Sequence, residues 1–119
     1  MADREFIKDV LDNIRRAPVP GLFDMEDWAQ RKSCGTAMCF AGWTVHTNGD
    51  KIVFYDDEIS SVNCMSRSGK IHNIEERARD LLDLTRYQAD EIFSATSITD
   101  VDQLEGFINE VLAEDDEDD

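Results

Sequence analysis

Apolar residues recur every three or four positions between Asp3 and Arg16, where Phe6, Ile7, Val10, Leu11 and Ile14 would line one side of a helix. Acids open this stretch and Arg15 and Arg16 close it, as the helix dipole favours, and Pro18 and Pro20 end it because neither can donate a helical hydrogen bond. Met25 and Trp28 stand three apart behind Asp24, a good N-cap, which predicts a second helix of about two turns. A third helix is expected from a Ser33 cap through "CGTAMCFAGWTVHTN", with Gly49 supplying the left-handed stop.

The period then changes. "KIVFY" and the stretch from Ile59 to Met65, joined through "DDE", read as a hairpin, and "SRSGK" as a polar turn after it. Helical spacing returns from Asn73 with Ile74, Ala78, Leu81 and Leu82, and Thr85 caps a further helix over "RYQADEIF". Thr99 or Asp100 caps the last one, "VDQLEGFINEVLA", whose Val101, Leu104, Phe107, Ile108, Val111 and Leu112 form one apolar stripe. The terminal "EDDEDD" has nothing to bury and is expected to stay disordered. The expected fold class is mainly α, a compact bundle of about five helices. It carries a small β-hairpin insertion at about 51–65, with one domain over 1–113 and a disordered acidic tail over 114–119.

The segment "CGTAMCFAGW" poses the chemical question. On a helix, Gly35, Cys39, Gly42 and His46 fall along one side, where small side chains let a neighbour approach, while Met38, Phe40, Trp43 and Val45 occupy the rest. A helix apolar on nearly every side belongs at a domain centre. Cys34, Gly35, Cys39, Gly42 and Trp43, with Phe93 from a later helix, are therefore expected to form a packing core in which the thiol acts as a small hydrophobe.

The competing reading is a zinc or thiol site built from Cys34, Cys39 and His46, completed by Cys64 or His72. Zinc sites favour two short-spaced ligand pairs, whereas Cys34 and Cys39 would lie about 140° apart around a helix. A thiolate nucleophile at Cys34 would need a partner base, and His46 is too far along the same axis. No cofactor, no metal and no enzymatic activity are expected.

Charge changes the picture more than composition does. At 119 residues and 41% apolar, the chain can close one modest core. Its odd number of cysteines and the charged opening "MADREFIKDV" point to a cytosolic protein with reduced thiols. No apolar run approaches the ~20 residues that cross a bilayer, and a net charge of -15 argues against direct contact with nucleic acid or anionic lipid. That charge is uneven. Residues 1–73 carry nine Lys or Arg against eleven Asp or Glu, whereas residues 74–119 carry three against sixteen.

Asp80, Asp83, Asp90, Glu91, Asp100 and Asp102 are spread over the last three predicted helices and are the candidate partner-binding residues. Carboxylates four residues apart on a helix are separated by about 6 Å of rise, near the spacing of phosphates along a nucleic-acid strand. Such a face suits a partner with a basic surface and could compete for a nucleic-acid groove. The helix-turn-helix pattern of Ile74–Phe93 does not itself read DNA, because "TRYQADEIF" holds one basic residue where a recognition helix needs several.

Two motifs carry a resemblance. "CGTAMCFAGW" followed by "LLDLTRYQADEIF" resembles a set of small uncharacterised proteins of actinobacteriophages and their hosts, in which a CGTxxCxAGW helix precedes an LLxLTxxQAxxxF segment. The matching residues are Cys34, Gly35, Thr36, Cys39, Ala41, Gly42 and Trp43, then Leu81, Leu82, Leu84, Thr85, Gln88, Ala89, Ile92 and Phe93, while Asp83 stands where glycine is usual. The resemblance implies a phage source, a bacterial host cytosol and a shared core, without a mechanism. Together with the charge it suggests an accessory protein that binds a host protein, in its sharpest form as a DNA mimic.

Overall fold

The first periodic stretch folds as α1, Arg4–Arg15, capped by Asp3 Oδ1, which accepts from the Phe6 amide at 3.0 Å; Ile7, Val10, Leu11 and Ile14 are buried. It opens a computed structural model that describes residues 2–17, 22–25, 28–32, 35–55 and 58–117. Pro18 and Pro20, the expected helix stop, lie outside the described residues, as do the proposed Ser33 cap and Cys34.

The helix expected behind Asp24 is not found among the described residues. The chain instead folds back on itself: the Asp24 amide donates to the Met38 carbonyl and the Met38 amide to that of Leu22, both at 2.9 Å. Strands β1 (Gln30–Lys32) and β2 (Gly35–Ala37) then pair antiparallel, Gln30 opposite Ala37. A two-turn helix is marginal by itself, and pairing with a distant segment satisfies the same backbone groups.

Helix α2, Phe40–Thr47, is consequently shorter than the spacing predicts. Gly35 belongs to β2 rather than to the helix, and Cys39 occupies the N-cap position, so these two do not share a helical side with Gly42 and His46. The helix stops where expected. Gly49 takes φ +93°, its amide donates to His46 and the Asp50 amide to Val45, each at 3.0 Å, which is the pattern of a Schellman stop.

The β region exceeds the expected hairpin. β3 (Lys51–Val53), β4 (Asn63–Met65) and β5 (Ile71–Asn73) form an antiparallel sheet of three strands in that order, with Ile52, Cys64 and His72 in register. The "SRSGK" turn leads back into the sheet: Ser66 donates to the Lys70 carbonyl and Gly69 to that of Ser66, both at 2.9 Å, with Gly69 at φ +88°. That pattern matches a three-residue hairpin loop ending in a left-handed glycine.

Three helices complete the chain: α3 (Ile74–Leu82), α4 (Arg86–Phe93) and α5 (Val101–Glu117). The Asn73 side chain caps α3, and Thr85 and Gln88 form a reciprocal capping box on α4. Asp83 itself adopts the left-handed conformation, φ 54° and ψ 46°, that turns α3 toward α4. Helix α5 is helical through Glu117, beyond Ala113, where the sequence reading ends the folded domain. The fold is thus mainly α, with a three-stranded sheet and a separate two-stranded ladder. Its centre is α2, which packs on α1 and α3 and buries Phe40, Ala41, Gly42, Trp43, Thr44 and Val45.

Candidate functional site

From Ala37 to Trp43 the segment "CGTAMCFAGW" leads inward. Cys39, Gly42, Trp43 and Phe93 are all buried. Trp43 Nε1 donates to the Leu22 carbonyl at 3.0 Å, so the ring's one polar atom is satisfied inside the core. A Cβ on Gly42 would collide with the Trp28 carbonyl and lie 2.7 Å from Met38 Cβ; the close neighbour that glycine admits is the Trp28 backbone, not another helix. Phe93 meets Phe40 with ring centroids 6.4 Å apart.

Cys39 sits at a helix start, where amides favour a thiolate, and the Gly42 and Ala41 amides do pull in that direction. Burial outweighs them and pushes the thiol up to about 11. Burial, reinforced by the Asp50 carboxylate, raises Cys64 to about 11 as well. His46 is exposed, its ring edge-on to Trp43 at 5.6 Å, and does not share the buried environment of Cys39. Among the described residues no group of three or more His, Cys, Asp or Glu is placed to hold a metal ion.

The acidic residues lie outside this core because the helices put them there. On α3, Ile74, Ala78 and Leu82 face inward, and on α4 Gln88, Ala89, Ile92 and Phe93 do so, leaving Asp80, Asp83, Asp90 and Glu91 exposed. At the start of α5 the structure draws a distinction that charge counting misses. Arg15 Nη2 reaches Asp102 at 2.8 Å and Glu105 at 2.9 Å, tying α5 to α1, and Asp100 Oδ1 accepts from the Asp102 amide at 2.7 Å. The carboxylates of Asp80, Asp90 and Glu91 make no ion pair among the described residues. Among the described residues, Asp80, Asp90 and Glu91 on α3 and α4 thus differ from Asp102 and Glu105 on α5, which Arg15 takes up.

Beside them is a cleft of about 420 Å³. Met25, Trp28 and Phe93 give it an apolar floor, with the two rings edge to face at 6.2 Å, while Glu75 and Asp90 line it from α3 and α4. Trp28 is only half-buried and lines this space. An aromatic surface bordered by carboxylates is suited to a cationic side chain, whose stem lies on the rings and whose head meets the acids.

No family model, no curated protein and no solved structure matches the chain significantly. No helix among the described residues is long and apolar enough to cross a membrane.

Proposed function

We propose that this chain is a non-enzymatic binding protein that presents the acidic surface of α3 and α4 to a host protein with a basic surface. It acts in the bacterial cytosol as a phage-encoded accessory protein. The observation that carries the reading is the cleft in which Glu75 and Asp90 border the Trp28 and Phe93 rings, next to Asp80 and Glu91, which form no ion pair among the described residues. A merely solvating acidic face needs no such cleft. A Lys or Arg of the partner seats there, and Asp80, Asp83, Asp90 and Glu91 supply the surrounding field, which speeds encounter and selects against acidic surfaces.

In its sharper form the partner's basic surface is a nucleic-acid groove and the acidic helices compete for it as a DNA mimic. Asp100 and Asp102 contribute less, since both are engaged within the chain. Capture from an actinobacterial lysate tests this. The wild-type protein should retain a partner that elutes with added duplex DNA or with raised salt, because exposed charges are screened over about 8 Å at physiological ionic strength. The variant carrying Asp80→Asn, Asp83→Asn, Asp90→Asn and Glu91→Gln should lose it while remaining folded. Equal retention by both proteins, or retention indifferent to salt, contradicts the reading.

A further inference from the structure

A second cleft, of about 390 Å³, carries the opposite charge. It lies where the β4–β5 turn meets the end of α2 and the first turns of α3. Arg67, Lys70 and Arg77 line it, and Asp50 is the one acid among its described lining residues. That carboxylate is fully withdrawn from solvent and is held by Arg77 Nε at 2.8 Å, so it neutralises Arg77 and leaves Arg67 and Lys70 uncompensated.

In a chain with 27 acids and 12 Lys or Arg, exposed cations have many possible mates. Arg67 and Lys70 nonetheless form no ion pair among the described residues. The exposed Arg67 guanidinium lies over the Gly49 turn, its Nη2 2.6 Å from where a Cβ on Gly49 would be. Ser66 and Ser68 add hydroxyls at the same turn, 2.9 Å apart, and His72 completes the wall.

We propose that this cleft binds the phosphate group of a small phosphorylated molecule, with Arg67 and Lys70 as its charged ligands and the Ser68 hydroxyl as a donor. Guanidinium and ammonium groups that line one cleft with a hydroxyl are the chemistry phosphate selects. The volume falls in the range of small-molecule sites. The size of the ligand follows from charge: a net charge of -15 repels nucleic acid and anionic bilayers at long range, whereas a small anion inside the cleft lies within a screening length of about 8 Å of the local cations. The site stands apart from the acidic cleft, and either can fail without the other.

The test is a titration of the 15N-labelled full chain with sodium pyrophosphate at constant ionic strength. Saturable shifts are expected at the Arg67–Lys70 amides, with sodium chloride giving none. The variant carrying Arg67→Gln and Lys70→Gln should keep its circular dichroism spectrum and bind about tenfold or more weakly, and Lys70→Gln alone should weaken binding in the same direction. Phosphatidic acid vesicles and a single-stranded oligonucleotide serve as the other phosphate sources. Response to either of these without a saturable response to pyrophosphate overturns the proposal, as does an unchanged affinity in the double variant.

Discussion

Arg77 Nε donates to Asp50 Oδ2 at 2.8 Å and its Nη2 reaches Oδ1 at 3.4 Å, joining α3 to the residue just past the end of α2. An acid at a helix C-terminus opposes the macrodipole, and this one has no solvent to help it. Arg77 offsets that cost, with Asn48 Nδ2 donating to Oδ1 at 3.1 Å and the Cys64 thiol 3.9 Å from Oδ2. In return the hydrogen bond to Asp50 raises the Arg77 guanidinium pKa further. Replacing Arg77 by Met leaves a buried, poorly paired carboxylate, and urea denaturation should show a loss of about 3 kcal/mol. Adding Asp50→Asn to that variant should recover part of it. A loss below about 1 kcal/mol, the worth of an exposed pair, would contradict this role.

Gly42→Ala places a methyl group against the Trp28 carbonyl and Met38 Cβ. The backbone cannot yield as a side chain would, so the expected destabilisation is about 1–3 kcal/mol by thermal or chemical denaturation. An unchanged melting temperature would mean that the 28–30 segment does not lie against α2.

Trp43 separates packing from hydrogen bonding. Trp43→Phe keeps most of the ring but removes the bond to the Leu22 carbonyl, which should cost about 1 kcal/mol. Trp43→Ala should cost about 3–5 kcal/mol, and equal losses in the two variants would contradict a packed indole.

Stability should also depend on alkaline pH. Cys39 and Cys64 hold their protons to about 11 in the folded state, mainly through burial, against an ordinary 9.0. Between those values the unfolded chain has released protons that the native chain retains, so stability is fully present below about pH 8 and falls as pH rises from 9 toward 11. Denaturation curves across that range should be flatter for a Cys39→Ala, Cys64→Ala variant. An identical slope in the variant would show that the thiols are not sheltered.

Much of this architecture is local and therefore legible in the sequence. The period of α1, the Thr85 cap with Gln88 three residues on, and Gly49 past the end of α2 each declare themselves within a few residues. The stretch around Asp24 does not, because the i, i+3 spacing of Met25 and Trp28 imitates a helix while Leu22 and Asp24 bond to Met38 and the Ala29 carbonyl accepts from Ser61. Strand β5 hides for the same reason, its pairing resting on a turn that sequence alone reads as an exit. The clefts are less visible still. Asp50 and Arg77 are 27 positions apart, and the only local clue is an acid placed where the helix dipole disfavours one. The acids of α3 and α4 were countable, but that Arg15 takes up Asp102 and Glu105 while Asp90 forms no ion pair among the described residues is a tertiary outcome.

The central claim is that the acidic helices bind a cationic group at a defined place. Titrating 15N-labelled protein with a short arginine-containing peptide measures this most directly. The predicted result is saturable shifts centred on the Trp28 indole and the Ser94 and Thr96 amides, abolished by Glu75→Gln with Asp90→Asn and unaffected by Glu110→Gln. Shifts spread evenly over every exposed acid, or unchanged in the Glu75, Asp90 variant, would contradict it.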